Sequence, residues 1–266
     1  MQSVSNIIMM PPAMNTRTKP SEDTFAQRLE QKYVIDRVLL ETLMVGNAKP
    51  FFDLFKGSYL QDDCKYNRIN NIYFDTADLA AYHGSIERQE ERMKLRVRQY
   101  SPNGTPEEFV YFEQKDKKDG YTFKRRIQLH ESWVAEFLKT GHLPMIDFLR
   151  LNEDKREALE LYSDLQGYIF DQGYKPVLRT SYSRKAFSLF ETKKVRMTID
   201  TQLEFSRLMA LPSLRLPYVG AYLQDCAIIE MKIASPRHLS IFNNLSSLIG
   251  QPKSFSKYCY GVYSTR

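Results

Sequence analysis

Charged and apolar residues alternate along three consecutive segments between residues 92 and 129. The segments read RMKLRVRQY, EEFVYFEQK and YTFKRRIQL, and turns rich in Pro, Asn, Gly and Asp separate them. Because successive side chains of a β-strand point to opposite faces, a period of two predicts strands. In the first segment Lys94, Arg96 and Arg98 share one face, and apolar residues occupy the other. The pattern predicts three antiparallel strands with one charged and one apolar face.

The same alternation recurs in five further segments. They are RLEQKYVID, RINNIYFD, VLRTSYSRKAFSLF, VRMTIDTQLEF and AIIEMKIA. Helical patterns lie between them: RVLLETLMV after Asp36, TADLAAYH, residues 132–139, residues 152–173 and residues 236–249, whereas SFSKYCYGVY reads as a tail. About eight strands suffice to close a barrel around a ligand. We therefore predict an α+β fold, an antiparallel β-barrel tunnel with helices packed around it.

The N-terminal residues differ in composition from the rest of the chain. Residues 1–22 are rich in Met, Pro, Ser and Thr and lack periodicity, which predicts a flexible tail. No internal repeat or linker divides the remainder, so residues 23–266 are predicted to form one domain.

Composition favours an anionic partner inside the cell. The chain of 266 residues has a formal net charge of +6 and a pI of about 9.0. Nucleic acid is not expected, because the strand aromatics alternate towards the presumed core. The three cysteines form no C-x-x-C pair, and no apolar stretch is long enough for a secretory leader or a membrane span. We expect a soluble, cytoplasmic protein and leave a membrane partner open.

The charged faces of the strands form the candidate site. If the apolar faces pack on helices, the charged faces point into the barrel, and an unpaired buried charge costs several kcal/mol. A water-filled channel that binds a polyanion would explain the excess of cations, since Arg and Lys both bind phosphate. The carboxylates Glu30, Glu113 and Glu230 suit Mg²⁺ or Mn²⁺, which prefer oxygen ligands. The alternative is a solvated sheet face with cross-strand ion pairs, and the pattern leaves both open.

Several common catalytic motifs are absent from the sequence. There is no G-x-x-x-x-G-K-[ST] loop, no G-x-G-x-x-G fingerprint and no H-E-x-x-H pair, and the four histidines are scattered. A P-loop nucleotide site and a zinc protease site are therefore excluded.

The successive strand motifs resemble those of the VTC domain. RLEQKYVID, INNIYFDT, RMKLRVRQY, YFEQKDKKDGYTFKRR, PVLRTSYSRKAF, VRMTIDTQLEF, IIEMKI and FSKYCYG follow in the family's order, from about residue 26 to the C-terminus. This is the polyphosphate polymerase domain of the vacuolar transporter chaperone family, here of the bacterial type, within the triphosphate tunnel metalloenzymes. The resemblance implies an antiparallel β tunnel that binds triphosphate and polyphosphate.

The resemblance also implies roles for individual residues. The catalytic cations would be Lys32, Arg96, Arg98, Lys115, Lys124, Arg184, Arg196 and Lys257. The metal-binding glutamate would be Glu230, to which the charge pattern adds Glu30 and Glu113. Further substrate contacts are expected from Arg126, Lys232, Ser256 and Tyr182, which share these faces or motifs.

The first strand departs from the wider superfamily pattern. That pattern opens with Glu-x-Glu-x-Lys, whereas Arg28 precedes Glu30 and Lys32 here, which leaves one carboxylate fewer. A two-metal hydrolase site is thereby disfavoured. The resemblance implies a phosphotransferase that moves the γ-phosphoryl of ATP onto inorganic polyphosphate with Mn²⁺ or Mg²⁺. The alternatives are a tripolyphosphate or nucleoside triphosphate hydrolase and a binding module without activity.

Overall fold

The fold is built on one antiparallel sheet. A computed structural model of the chain describes residues 29–57, 66–119, 121–190, 192–208 and 220–265. Its strands are β1 (Leu29–Asp36), β2 (Phe55–Gly57), β3 (Asn67–Asp75), β4 (Arg92–Pro102), β5 (Phe109–Lys118), β6 (Tyr121–His130), β7 (Lys175–Leu189), β8 (Thr192–Arg207), β9 (Ala221–Leu223) and β10 (Cys226–Ile233). Eight of them pair in the order β1-β10-β8-β7-β3-β4-β5-β6, and the short β2 and β9 pair with β7 and β8. The predicted tail, Arg28 and Cys64 lie outside the described residues.

Helices connect and cover the strands. They are α1 (Arg37–Val45), α2 (Lys49–Phe52), α3 (Ala80–Ile86), α4 (Trp133–Thr140), α5 (Met145–Leu151), α6 (Lys155–Gln166), α7 (Ser240–Ile249) and α8 (Lys257–Ser264), with a π-helical turn at Gly167–Asp171 after α6. Helix α1 begins where the sequence predicts, because the Asp36 side chain accepts a hydrogen bond from Leu39 N at 2.9 Å. No described helix has the length and apolarity needed to cross a membrane.

Two apolar clusters hold most helices against one face of the sheet. In the first, Leu40 of α1 and Phe242 of α7 pack on β1, β8 and β10. In the second, Phe137 of α4 and Leu161 of α6 pack on β4, β5 and β6, where Phe112 is fully buried. Burial of each large apolar side chain contributes about 1.5–3 kcal/mol. The predicted packing of apolar strand faces on helices is confirmed.

The sheet curls, so that strands near its two ends face each other. Lys115 on β5 interacts electrostatically with Glu30 on β1 and Glu230 on β10, although six strand-to-strand steps separate β1 from β5. In a flat sheet those steps would span about 29 Å, well beyond the range of unscreened charge interactions in physiological salt. The charged side chains therefore line the concave face of the sheet, and the helices of the two clusters cover the convex face.

Helix α8 packs on part of the concave face. Its Tyr258 and Val262 are buried against Leu178 of β7 and Phe205 of β8. Gly261 allows this close approach, since a Cβ there would lie 2.6 Å from Leu178 and 2.7 Å from Phe205. The prediction that SFSKYCYGVY is a tail is therefore wrong.

The predicted α+β architecture with an antiparallel sheet is confirmed, whereas barrel closure is not found. Among the described residues no backbone pairing joins β1 to β6, the two ends of the strand path. The first residues of β6, from Tyr121 to Lys124, are exposed, as is usual for an edge strand.

Candidate functional site

The structure places all the predicted site residues on the concave face or at the start of α8. Directly opposite residues of an antiparallel pair share a face, and the register sets Lys32 opposite Glu230, Arg96 opposite Glu113 and Arg184 opposite Asn67. The residues on this face are Glu30 and Lys32 of β1, Arg96 and Arg98 of β4, Glu113 and Lys115 of β5, Lys124 and Arg126 of β6, Tyr182 and Arg184 of β7, Arg196 of β8, Glu230 and Lys232 of β10, and Ser256 and Lys257 at the start of α8.

A buried carboxylate gathers the cations of β4 and β6. Glu113 is 1% exposed and lies 2.6 Å from Arg96 Nη2, in direct contact with Lys124 Nζ, and 3.9 Å from Arg98 Nε. Burial alone would raise the pKa of Glu113, but Arg96, Arg98 and Lys124 lower it to about 2. The Glu113 cluster, which we define as these four residues, therefore carries an excess of positive charge.

Two tyrosines orient the arginines of the Glu113 cluster. Arg96 Nη1 donates to Tyr73 Oη at 3.2 Å, and Arg98 Nη2 donates to Tyr182 Oη at 3.3 Å. Arg98 Nε also donates to Asn71 Oδ1 at 2.9 Å. Burial alone would raise the pKa of Tyr73, but Arg96 and Arg98 lower it below its usual value. Both guanidinium groups are thus fixed by partners on neighbouring strands.

A second buried carboxylate joins β7 to α8. Asp200 is fully buried and accepts from Arg184 Nε at 2.6 Å and Nη2 at 2.7 Å, and from Lys257 Nζ at 2.6 Å. The Lys257 ammonium also lies 4.6 Å from the centre of the Tyr182 ring. Burial would raise the pKa of Asp200, but Arg184 and Lys257 keep it below its usual value. We call these four residues the Asp200 cluster.

Four charges on β1 and β10 form a third group. Lys32 Nζ lies 2.9 Å from Glu30 Oε1 and 3.9 Å from Glu230 Oε2, and Lys232 Nζ lies 2.6 Å from Glu230 Oε1. Burial would raise the pKa of Glu230, but Lys232, Lys32 and Arg184 hold it well below the usual range. Burial and the nearby Glu230 would raise the pKa of Glu30, but Lys32 and Lys232 keep it below its usual value, so both carboxylates are ionised at neutral pH.

Glu30 and Glu230 are the residues that could hold a divalent metal ion. Mg²⁺ is commonly bound by one or two carboxylates together with phosphate oxygens, and these two ionised groups fit that mode. The described residues contain no group of three or more Asp, Glu, His or Cys side chains that would form an all-protein cage. Glu113, the third predicted ligand, contacts cations of its own cluster instead. The structure brings together two of the three predicted metal ligands.

Four predicted residues are more accessible. Arg126 stacks 4.7 Å above the Tyr111 ring, Arg196 is exposed opposite Lys232, and Ser256 caps α8 by accepting from Cys259 N at 3.3 Å. Lys115 is accessible to water yet surrounded by protein, and this partial burial lowers its pKa although Glu30 opposes the shift. These residues offer donors to a ligand that approaches from solvent.

Sequence reasoning missed several residues of the site. Asp200 appears in the alternating pattern, but its pairing with Arg184 and Lys257 depends on the register and on α8, which the sequence did not predict. Tyr73 lies opposite Arg96 on β3, whose strand was predicted, but it was not among the predicted site residues. Lys94 was assigned to the charged face but given no role.

Two cavities lie away from these clusters. A polar cavity of about 370 Å³ is lined by Arg37, Arg68, Gln202, Glu204 and Gln224. A more apolar cavity of about 560 Å³ lies between Leu79, Phe170 and Val262. Neither includes a predicted site residue, so the candidate site is the concave face itself.

Comparison with known proteins identifies the fold first and the family second. A Bacillus halodurans protein provisionally assigned as an adenylate cyclase shares the fold, with a TM-score of 0.51 and 16% identity over 86% of this chain and 93% of that one. The fold is of the triphosphate tunnel metalloenzyme type. The family model described as VTC domain matches residues 27–266. This chain belongs to the VTC domain family.

Its relatives are subunits of a larger assembly. Vacuolar transporter chaperone complex subunit 4 of Schizosaccharomyces pombe is 30% identical over 227 residues, which cover 73% of this chain and 31% of that protein. The subunit 4 of Trypanosoma cruzi is 26% identical over 233 residues, which cover 74% of this chain and 28% of that protein. The chain thus corresponds to about three tenths of the length of these relatives.

Proposed function

We propose that this protein is a polyphosphate polymerase that transfers the γ-phosphoryl of ATP to a growing polyphosphate chain. The observation that carries the proposal is the concave face, on which cations from seven strands and α8 converge with few carboxylates between them. A chain of phosphates, with a negative charge on every unit, is the ligand that matches such a surface.

The chain's own residues can bind and orient both reacting phosphates. In-line phosphoryl transfer mainly requires positioning and compensation of developing charge, and it needs no covalent protein nucleophile. Arg96 and Arg98 are held by Glu113, Tyr73 and Tyr182, and their fixed guanidinium groups suit the nonbridging oxygens. The acceptor is itself a phosphate, so no strong general base is required.

The Asp200 cluster would bind the phosphate chain next to the Glu113 cluster. Arg184 and Lys257 reach the same carboxylate from β7 and from α8, and this shared contact fixes their relative positions. Tyr182 lies between the two clusters, with its hydroxyl on Arg98 and its ring under Lys257. These cations would therefore form a single, continuous phosphate-binding track.

A divalent ion, Mn²⁺ or Mg²⁺, belongs to this proposal. Glu230 and Glu30 would hold it, and Lys32 and Lys232 would then turn from these carboxylates towards phosphate oxygens. When bound, such an ion neutralises charge on the phosphates and orients them.

We also propose that the reaction takes place in a tunnel and in the cytoplasm. The phosphate chain would lie in a tunnel formed by the concave face of the curled sheet. A cytoplasmic location, where ATP is abundant, fits the reaction, and a membrane partner for the product is left open.

Hydrolysis and binding without reaction are the two competing functions. A hydrolase must aim a water at phosphorus, usually with a carboxylate or a second metal ion. Arg28 stands where the superfamily pattern has another glutamate, which favours phosphate over water as the acceptor. A binding module would keep the clusters but consume no ATP.

Incubation of the full chain with ATP and Mn²⁺ tests these functions directly. ADP, acid-labile polymer and free phosphate are measured separately, with and without a short polyphosphate primer. We expect ADP and polymer, little free phosphate, and a lag that the primer shortens. Stoichiometric phosphate without polymer at any primer concentration would establish the hydrolase instead. Unchanged ATP, with polyphosphate still raising the melting temperature, would establish the binding module.

A further inference from the structure

Three lysines lie directly opposite one another on adjacent strands of the concave face. The register pairs Lys94 of β4 with Lys115 of β5 and Lys115 with Lys124 of β6. Like charges in such positions destabilise a sheet unless something neutralises them. Lys124 contacts Glu113, whereas no ion pair of the described residues involves Lys94 or Lys115.

Lys94 is the least compensated of the three. Its side chain is partly buried, and its ammonium donates to Ser256 Oγ at 3.3 Å. Burial lowers the pKa of Lys94 against the opposing effects of Cys259 and Tyr73, and the nearby Lys32 and Arg92 lower it further. The other clusters of this face contain their own carboxylate, whereas no carboxylate of the described residues forms an ion pair with Lys94.

Ser256 makes this position suitable for an anion. Its hydroxyl accepts from Lys94 Nζ and from Cys259 N, both at 3.3 Å. A hydroxyl has two acceptor positions and one proton, so its proton remains to be donated to a third group. An ammonium and a hydroxyl donor side by side at the start of α8, where the helix end is positive, would suit a phosphate oxygen.

We propose that Lys94 is a phosphate-binding residue and that, with Ser256 and Lys115, it forms a subsite for the polyphosphate chain next to the Glu113 cluster. This inference rests on the proposed binding of polyphosphate and adds a residue to which the family resemblance assigns no role. The ligand would supply the negative charge that the described residues around Lys94 lack. Without ligand, the Lys94 charge destabilises the fold. Its role is to bind the ligand.

Replacement of Lys94 by methionine should change ligand-free stability and phosphate affinity in opposite directions. Methionine keeps the unbranched shape and most of the length of the side chain and removes the charge. We expect the ligand-free melting temperature of Lys94→Met to rise by about 1–3 °C, because repulsion is relieved. We expect its affinity for tripolyphosphate, measured by calorimetry on the full chain, to fall about tenfold, as the loss of one charged contact implies.

Two variants control for charge and for folding. Lys185 is exposed on β7 and lies opposite Ile199, which belongs to the first apolar cluster on the convex face. Lys185 therefore faces away from the site. Lys185→Met makes the same chemical change and should leave both quantities near the wild type. Lys94→Arg retains a cation and should retain most of the tripolyphosphate affinity.

The inference requires both effects in Lys94→Met. An unchanged affinity would overturn it, and so would a lower ligand-free melting temperature, since that would assign Lys94 to the structure. If Arg96→Met loses tripolyphosphate binding while Lys94→Met binds like the wild type, the proposed function stands and the Lys94 subsite falls. If the wild-type protein does not bind tripolyphosphate at all, both fall.

Discussion

Glu113 shows how a single buried carboxylate organises the site. It is 1% exposed and contacts Arg96 and Lys124 directly, with Arg98 near by. A buried ion pair adds little net stability, but removal of one partner leaves the others uncompensated. Glu113 therefore couples the stability of the fold to the arrangement of the phosphate-binding cations.

The variant Glu113→Gln should reveal this coupling through pH. The folded-state pKa is about 2, against 4.5 for the free group, so the ionised carboxylate stabilises the fold by about 3 kcal/mol above pH 4.5. This contribution is lost as pH falls from 4.5 towards 2. Denaturant unfolding across that range should show a wild-type advantage that shrinks with acidity. An advantage independent of pH would assign the effect to packing.

A single residue, Glu230, also offers a test of metal binding. Lys232, Lys32 and Arg184 overcome the effect of burial and hold its pKa low, so it is ionised throughout the useful pH range. Glu230→Gln keeps the shape and removes the charge. We expect the Mn²⁺ concentration for half-maximal activity to rise at least tenfold, with tripolyphosphate affinity in the absence of metal nearly unchanged. An unaltered Mn²⁺ requirement would show that Glu230 does not bind the ion.

At the scale of elements, α8 is held by a buried hydrogen-bond network. Asp75, at the end of β3, accepts from Ala81 N at 2.8 Å and Tyr82 N at 3.0 Å in α3. The Tyr258 hydroxyl of α8 donates to the same carboxylate. One side chain thus fixes two helices to the sheet, and the position of Lys257 depends on it.

Tyr258→Phe removes the contact between α8 and Asp75 without changing the shape of the ring. A hydrogen bond to a buried charged group contributes about 1.5–3 kcal/mol, and the variant should lose that much unfolding free energy. Hydrogen exchange of the α8 amides should accelerate, and tripolyphosphate affinity should fall, because Lys257 is less well positioned. Tyr263 on the same helix is 70% exposed, so Tyr263→Phe is a matched control with wild-type behaviour expected. Equal effects in both variants would contradict the network's role.

Elements with a strong local period were predictable, and those fixed by distant contacts were not. Alternation in RMKLRVRQY correctly predicted β4 and the face of Arg96 and Arg98. Helix α8 escaped prediction because its aromatic residues are buried by β7 and β8, far away in sequence. The pairing of Asp200 with Lys257 was hidden for the same reason. The face of a strand on which a side chain lies follows from the local sequence. The partner that the side chain contacts depends on the curl of the sheet.

At the scale of the whole molecule, the curl concentrates positive charge inside the protein. The chain has a net charge of +6, and Lys115 of β5 faces the charged group of β1 and β10 across the concave space. The convergence of these cations lowers the stability of the fold through repulsion. An anion that binds the folded protein but not the unfolded chain restores that stability. A solvated sheet with simple surface ion pairs would behave differently, because each pair is already neutral.

Thermal unfolding in different anions therefore separates a phosphate-binding concave face from a merely solvated one. Tripolyphosphate at about 100 times its dissociation constant should add about 2.7 kcal/mol, which raises the melting temperature of a chain of this size by about 5–10 °C. Pyrophosphate and then orthophosphate should follow with smaller shifts, because they reach fewer cations. NaCl near 1 M should reduce the tripolyphosphate shift by screening, although it relieves some repulsion by itself. Equal shifts from tripolyphosphate and from NaCl of matched ionic strength would contradict specific phosphate binding. In that case the charged face would be an ordinary solvated surface, and the proposed function would lose its basis.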